Sequence, residues 1–169
     1  MAVREVLRYP HPALKQTAAP ADLAQRAEIV RLATDLADTM DAHPGCVGLA
    51  APQLAELVRM IVVDVTEDRR AVSSNGRLVL VNPRIVSASG SEVAREGCLS
   101  IPELTANVRR ATEIVLEATT PEGEARRVES EGFEARCLLH EIDHLDGILF
   151  LDRVDSLATD VFRRKRYSG

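Results

Sequence analysis

The sequence is poor in cysteine and contains no long apolar run. Its three cysteines among 169 residues are too few, and odd in number, for a disulfide framework. No segment approaches the roughly 20 apolar residues that cross a bilayer. The opening MAVREVLRYPHP carries charged residues where a signal peptide requires an apolar stretch. We therefore expect a cytoplasmic chain without a membrane partner, in which a thiol is more often a ligand, a nucleophile or a core residue than half of a bridge.

An excess of positive charge is also lacking. The 21 basic and 26 acidic residues give a net charge of -5, which argues against nucleic-acid binding as the main function and against a specific DNA partner. No repeat, low-complexity segment or linker divides the chain. Its length suits one domain over residues 1–169 with its own core, and we take a monomer as the default.

The apolar pattern predicts an α+β fold. Apolar residues recur every three or four positions in residues 22–42, which predicts a first helix that HPG ends. Asn75-Gly76 and a TPEG stretch supply turns. The predicted strands around those turns cover 58–65, 78–83, 112–120 and 124–131. Strands in the middle of a chain with helices at both ends are typical of an α+β domain.

Two further helices are predicted in the last third of the chain. One spans residues 132–145 and is closed by Gly147 in the left-handed conformation that ends many helices. A short C-terminal helix begins at Ser156. The basic RRKR at 163–166 either complements the dipole of that helix or docks on ribosomal RNA.

The first of these two helices, at 132–145, contains the motif HEIDH at 140–144. Residues four apart lie on one helix face, so His140 and His144 can bind one cation. Glu141 then lies beside it and can take a proton from a water that the cation has acidified. The alternative is a charged helix face that carries imidazoles by chance. Apolar neighbours favour a buried helix, where a cation would compensate for burying these polar groups.

A catalytic metal needs a third protein ligand and an open position for water. Cys137 lies about 10 Å along the helix from His144, so we interpret it as a buried side chain near the site. Cys98, within REGCLSIPE, is the candidate ligand, because a thiolate binds zinc or ferrous iron well and Gly97 permits close backbone approach. A buried structural cysteine remains the alternative.

A third stretch, GCVGLAAPQ at 45–53, places small residues ahead of Gln53. Small residues allow a ligand near the backbone, and the amide of Gln53 can donate to a developing oxyanion. Tight core packing explains the small residues equally well.

Together, CVGLAAPQ (46–53), EGCLS (96–100) and HEIDH (140–144) resemble the ordered motifs of peptide deformylases, and VLRYPHPALKQTAAP resembles the family's N-terminal segment. The resemblance implies mainly antiparallel sheets around a central metal-binding helix. It also implies removal of the formyl group from N-formylmethionine on nascent peptides, with release of formate. The implied ligands of one Fe²⁺ per chain, which Zn²⁺, Ni²⁺ or Co²⁺ can replace, are Cys98, His140 and His144.

The same resemblance assigns roles to other residues. Glu141 is the general base, and the side chain of Gln53 and the backbone N–H of Leu99 stabilise the oxyanion. Val47 and Gly48 bind the substrate backbone.

Four further residues have supporting roles in the implied site. Cys137 contributes to an apolar methionine pocket. Glu96 and Arg110 form an ion pair that braces the metal loop. Asp143 orients a histidine or a neighbouring loop, although an ordinary surface acid is equally compatible with the sequence.

The sequence departs from the family pattern at Cys46, Ala55 and Leu139, which leaves the loop path and the pocket open. Cys46 would add an oxidation-sensitive thiol. A zinc peptidase or other metal-dependent amide hydrolase is an alternative, since HExxH also marks zincins. A non-catalytic metal-binding protein is another, although it leaves Glu141 and Gln53 without a purpose.

Overall fold

The computed structural model describes residues 2–164, and two α-helices and two antiparallel sheets form its framework. In chain order the elements are α1 (Arg26–Asp41), β1 (Gly48–Ala50), β2 (Met60–Val63), β3 (Leu78–Ser89), β4 (Glu92–Cys98), β5 (Ile101–Arg110), β6 (Glu113–Thr119), β7 (Ala125–Glu131), α2 (Gly132–Leu145) and β8 (Val161–Arg163). The predicted α+β class is confirmed.

One sheet has the order β1-β2-β3-β6-β7 and the other the order β4-β5-β8. Every neighbouring pair of strands is antiparallel. Strand β2 lies inside the larger sheet and is buried on both faces, because its successive side chains point in opposite directions. Ile61 and Val63 face the core that contains α2, while Met60 and Val62 face the core that contains α1.

Helix α2 has the predicted bounds, and its apolar side chains explain its burial. Leu138, Ile142 and Leu145 pack against the larger sheet. The predicted left-handed glycine after the helix is confirmed at Gly147, with φ 72°. A β-carbon there would lie 2.6 Å from the carbonyl oxygen of Lys15, so both the turn and the close approach require glycine.

Helix α1 confirms the first predicted helix but begins at Arg26 rather than at residue 22. The side chain of Asp22 instead accepts a hydrogen bond from Ala24 N–H in a turn before the helix, a local bond that competes with helix formation. The predicted apolar face is buried, and its members are Ile29, Leu32, Leu36 and Met40.

The predicted C-terminal helix from Ser156 is wrong. Ser156 and Asp160 form a turn, since Asp160 N–H donates to Ser156 O and Ser156 N–H donates to the Asp160 carboxylate. Strand β8 follows and pairs with β5, with Ala106 opposite Val161. The edge of β5 offers hydrogen bonds that a short isolated helix cannot match. Residues 165–169, which include half of the RRKR cluster, lie outside the described residues.

The most important elements that the sequence pattern missed are β4 and β5, which form a long hairpin over residues 92–110. This hairpin carries the EGCLS motif to α2. No helix within residues 2–164 is long and apolar enough to cross a membrane.

Candidate metal centre

The β4–β5 hairpin brings a thiol to two imidazoles of α2. The candidate ligand atoms of Cys98, His140 and His144 all lie within 4.8 Å of one another. Cys98 is the last residue of β4, and an irregularity of the register between it and Gly97 turns the strand there. Its Sγ lies 3.4 Å from His144 Nε2. All three side chains are buried, so one small cation can contact all three donors.

The electrostatics of this cluster favour the thiolate. Burial by itself would raise the pKa of Cys98, but the positive charge of His144 and hydrogen bonds from both imidazoles hold it well below its usual range. Burial would likewise lower the pKa of His140, yet its hydrogen bonds with Cys98 and Glu96 raise it well above its ordinary value. Surroundings that hold a proton between a thiolate and an imidazole also favour a metal cation at the same place.

Behind the cluster, Glu96 fixes the orientation of His140. Its Oε1 lies 2.9 Å from His140 Nδ1, which leaves Nε2 free to face the centre. Its Oε2 accepts hydrogen bonds from Arg110 Nε at 2.9 Å and Arg136 Nη1 at 2.7 Å. Burial would raise the pKa of Glu96, but these bonds and the neighbouring positive charge keep it well below its usual range. The carboxylate is therefore ionised and holds the ring in place.

Arg110 extends this network to Asp143. Its Nη1 donates to Asp143 Oδ2 at 2.6 Å, and Arg153 donates to both oxygens of the same carboxylate, at 2.9 and 3.0 Å. Asp143 is therefore buried and paired with two arginines, rather than oriented toward a histidine. We call Glu96, Arg110, Arg136, Asp143 and Arg153 the buried charge network.

Sequence reasoning missed two members of this network. Arg136 lies four residues before His140 and thus on the same helix face, a spacing that could have drawn attention to it. It binds Glu96 and the carbonyl of Val108. Arg153 follows α2 in the chain, and the sequence contains no signal that pairs it with Asp143.

A neighbouring face of α2 carries a buried acid whose hydrogen bonds are incomplete. Glu141 is buried, and within residues 2–164 its Oε1 has no hydrogen-bond partner. Burial raises its pKa to about 6, although the charges of His140 and His144 act in the other direction. A β-carbon on Gly48 would lie 2.7 Å from Glu141 Oε2, so glycine is needed at that position. A buried carboxylate without a partner is costly unless a ligand completes it.

Gln53 lies beside the thiolate and is held at both ends of its amide. Its Oε1 accepts a hydrogen bond from Ala50 N–H at 3.0 Å, and its Nε2 donates to Ser100 Oγ at 3.0 Å. The same Nε2 lies 3.5 Å from Cys98 Sγ. Its second N–H is therefore directed into the site.

A cavity of about 280 Å³ opens in front of the cluster and contacts most of the predicted site residues. Those that line it are Val47, Gly48, Gln53, Glu96, Cys98, Leu99, Cys137, His140 and Glu141. His144, Arg110 and Asp143 lie behind this surface. The structure thus brings together residues from three distant motifs around one cavity.

The cavity is less apolar than expected for methionine. Val47, Leu99 and Phe133 supply apolar wall. Four arginines also line it, namely Arg70, Arg95, Arg136 and Arg164. Burial, with the charge of Glu141, raises the pKa of Cys137, so that side chain acts as a small neutral group.

The departures from the family pattern now have structural consequences. Burial raises the pKa of Cys46 to about 12, which disfavours the thiolate and so counts against its expected sensitivity to oxidation. Ala55 follows Gln53 and Leu54 with φ 65°, a left-handed conformation that glycine adopts more easily. Leu139 is half-buried and packs against the core beside α2.

Two features separate this centre from a purely structural metal site. Three protein donors converge, which leaves a coordination position for water, whereas structural sites commonly use four. Next to them lies Glu141, whose buried Oε1 has no hydrogen-bond partner within residues 2–164, so its carboxylate can accept a proton. Fold and site together define the class of metal-dependent hydrolases.

Comparison with known proteins identifies the family. The sequence profile described as polypeptide deformylase matches residues 3–160. The chain belongs to the polypeptide deformylase family. It is a hydrolase that removes the formyl group from the N-terminal N-formylmethionine of newly made polypeptides, and its reaction depends on a metal ion.

Individual relatives agree over most of their length. A peptide deformylase of Thermomicrobium roseum is 44% identical over 160 residues, which cover 94% of this chain and 90% of that protein. One from Syntrophobacter fumaroxidans is 39% identical over 165 residues, covering 98% and 94%.

Solved structures show the same fold. The Met-Ala-Ser-bound class I type b peptide deformylase of Acinetobacter baumannii superposes with a TM-score of 0.84 at 35% identity, covering 90% of this chain and all of that one. The Thermotoga maritima peptide deformylase superposes with a TM-score of 0.82 at 32% identity, covering 92% of this chain and all of that one.

Proposed function

We propose that Cys98, His140 and His144 bind one Fe²⁺ per chain, which Zn²⁺, Ni²⁺ or Co²⁺ can replace. One thiolate and two imidazoles suit these ions better than Mg²⁺ or Ca²⁺, which prefer oxygen donors. The low pKa of Cys98 and the fixed ring of His140 support this assignment. When bound, such an ion lowers the pKa of a coordinated water toward 7 and polarises a carbonyl oxygen.

We assign Glu141 as the general base. The main observation behind this role is its buried Oε1, which lies beside the three donors and has no hydrogen-bond partner in the described part of the chain. Glu141 accepts a proton from the water that attacks the formyl carbon. It then returns the proton to the leaving amine, so that formate and a free N-terminus are released. Because its pKa of about 6 is near neutrality, the same carboxylate can serve both steps.

Gln53 and Leu99 stabilise the negative charge that develops on the formyl oxygen. Gln53 is held by Ala50 and Ser100, so its second amide hydrogen is preorganised for an oxyanion. The backbone N–H of Leu99, next to Cys98, supplies the other donor.

The substrate lies along the loop that leads into β1. Val47 and Gly48 bind the peptide backbone in a strand-like manner, and Cys137, with the stems of neighbouring side chains, accepts the methionine. The Acinetobacter baumannii relative is bound to Met-Ala-Ser, which supports a peptide that begins with methionine as a ligand of this fold.

We further propose that residues 1–169 form one catalytic domain that acts as a monomer in the cytoplasm on N-formylmethionyl nascent peptides. An iron-thiolate site is prone to oxidation, which favours a reducing compartment. The basic cluster at 163–166 is proposed to dock on the ribosome. Unchanged ribosome co-sedimentation after removal of residues 163–169 would contradict that docking.

Formate release from a formyl-Met peptide tests the proposed site. We expect release by the purified protein, loss of release after treatment with a chelator, and recovery when Fe²⁺ is restored anaerobically. Activity that survives complete metal removal would refute the metal assignment. Cleavage of unformylated peptides would instead favour the zinc peptidase, and bound metal without any turnover would favour the non-catalytic protein.

A further inference from the structure

Two of the four arginines that line the cavity have no carboxylate partner among residues 2–164. Arg70 is paired with Asp68 at 2.8 Å, and Arg136 with Glu96 at 2.7 Å. The side chain of Arg95 donates only to neutral groups of its neighbours, Asn107 Oδ1 at 3.1 Å and Thr105 Oγ1 at 3.3 Å. Arg164 makes no side-chain hydrogen bond or ion pair within the described part of the chain.

Both of these side chains lie against the smaller sheet, near Cys98. Arg95 lies over the ring of Phe162 in β8, with 3.8 Å from its Cζ to the ring centroid. The backbone N–H of Arg164 donates to Glu103 O at 2.8 Å, which continues the pairing of β8 with β5. Its Nη2 lies over Gly97, where a β-carbon would collide with it.

This arrangement places two positively charged side chains at the cavity, neither of them paired with a carboxylate among residues 2–164. Both side chains are exposed, so their charge stays solvated when no ligand is bound. The guanidinium fork suits a carboxylate. The positive charge is local, because the whole chain has a net charge of -5. Glycine at position 97 leaves the space that Arg164 occupies, so the guanidinium reaches the cavity beside Cys98.

We propose that Arg95 and Arg164 form a carboxylate-binding subsite, through which the enzyme favours formylated peptides with Asp or Glu in the residues immediately after the methionine. This inference rests on the proposed function, since it assumes that the peptide enters this cavity. It adds a preference for acidic side chains after the first residue to a site that was expected to select only the apolar methionine side chain.

Binding of product peptides tests the subsite independently of turnover. Met-Glu-Ala amide and Met-Ala-Glu amide would be titrated calorimetrically against the metal-loaded protein, with Gln and Lys peptides of the same pattern for comparison. The amidated C-terminus removes the other carboxylate that the arginines could bind. We expect at least one Glu peptide to bind about 10-fold more tightly than its Gln counterpart at low salt, because only the Glu carboxylate forms a charged hydrogen bond with a guanidinium. Added salt should reduce this ratio.

The variants Arg164→Gln and Arg95→Gln should bring the Glu-to-Gln ratio close to one, while Arg164→Lys should keep part of it. Arg84→Gln is the matched control, because Arg84 is an exposed arginine on the other sheet, paired with Glu117. An equal affinity for Glu and Gln peptides in the wild type, or a preference that survives both Gln variants, would overturn the proposal.

The ratio of kcat/KM for the formylated forms of the same peptides then shows whether the subsite acts during turnover. Absence of turnover on every peptide would count against the deformylase site, whereas the binding ratios would still decide the subsite.

Discussion

Two faces of α2 differ in whether their buried charged groups have hydrogen-bond partners. On the side toward the smaller sheet, the buried charge network satisfies its carboxylates with short hydrogen bonds, including Glu96 to three partners. On the side toward β1, Glu141 Oε1 and His144 Nδ1 are buried without partners within residues 2–164. The first side fixes geometry, whereas the second keeps functional groups available for a ligand. The contrast arises within one helix of 14 residues.

The largest effect on metal binding and activity should follow from removing the thiolate of Cys98, which is a proposed ligand together with histidines from both faces. In Cys98→Ser we expect bound metal to fall from one per chain to nearly none, and formate release to fall to background, because a serine hydroxyl does not ionise and binds these ions poorly. Elemental analysis and a formate assay measure the two. The control is Cys137→Ser, which changes a neutral thiol that is not a proposed ligand and should keep its metal. Full metal content in Cys98→Ser would exclude Cys98 as a ligand.

Removing the charge of Glu141 should impair proton transfer and leave the buried charge network intact. Glu141→Gln preserves size and should keep the metal, while kcat falls by about 10²–10⁴-fold, the usual contribution of a general base. Steady-state kinetics on a formyl-Met peptide, with metal content measured on the same sample, provide the check. A variant that keeps near-wild-type turnover would show that another group moves the proton.

Glu96→Gln disrupts the buried charge network. Arg136 would lose its carboxylate partner and Arg110 would keep Asp143 but lose Glu96, so we expect the free energy of unfolding to fall by about 3–5 kcal/mol. Metal affinity should weaken by about 10–100-fold because His140 loses its orienting carboxylate.

Chemical denaturation and metal titration measure these two effects of Glu96→Gln. The control is Glu117→Gln, which removes an exposed pair with Arg84 and should change stability by less than about 1 kcal/mol. Equal effects of the two substitutions would show that burial of the network does not matter.

The smallest effect is expected at an ion pair open to water. Burial alone would raise the pKa of Asp152, but the hydrogen bond and charge of Lys15, with Leu149 N–H, lower it overall. A lowered folded-state pKa stabilises the protein above the unfolded value and loses that contribution as the pH falls through the folded value. Asp152→Asn should therefore be less stable than wild type by less than about 1 kcal/mol near neutral pH.

That difference should shrink as the pH falls below about 4, because the wild-type carboxylate then becomes protonated. Thermal melting of both proteins between about pH 6 and pH 2.5 measures it. A gap that widens toward low pH would contradict the sign of the shift.

The parts of this site that the sequence predicted share a local signal. His140, Glu141 and His144 are fixed by helical spacing, and the bounds of α2 follow from its apolar pattern. Cys98 was a candidate from its motif, although the β4–β5 hairpin that carries it was missed. The buried charge network could be predicted only for Glu96 and Arg110, through family resemblance, since its other pairs join residues that no short pattern connects.

The C-terminal segment shows that a local pattern can also predict an element that does not form. Its basic residues suit the end of a helix, but residues 161–163 pair with the exposed edge of β5 instead. That choice also places Arg164 over Gly97. A local pattern contains no information about an unpaired strand edge elsewhere in the fold, and so it could predict neither the strand nor the arginine at the cavity.

The amino-acid sequence by itself determined which donors and which base this protein contains, because side-chain chemistry and helical periodicity are local properties. The tertiary structure decided which of those charges are neutralised and which remain open to a ligand. Pairing depends on distances between segments far apart in the chain, such as those of Cys98 and His144, which are 46 residues apart. Burial then determines how strongly each pair or unpaired group acts.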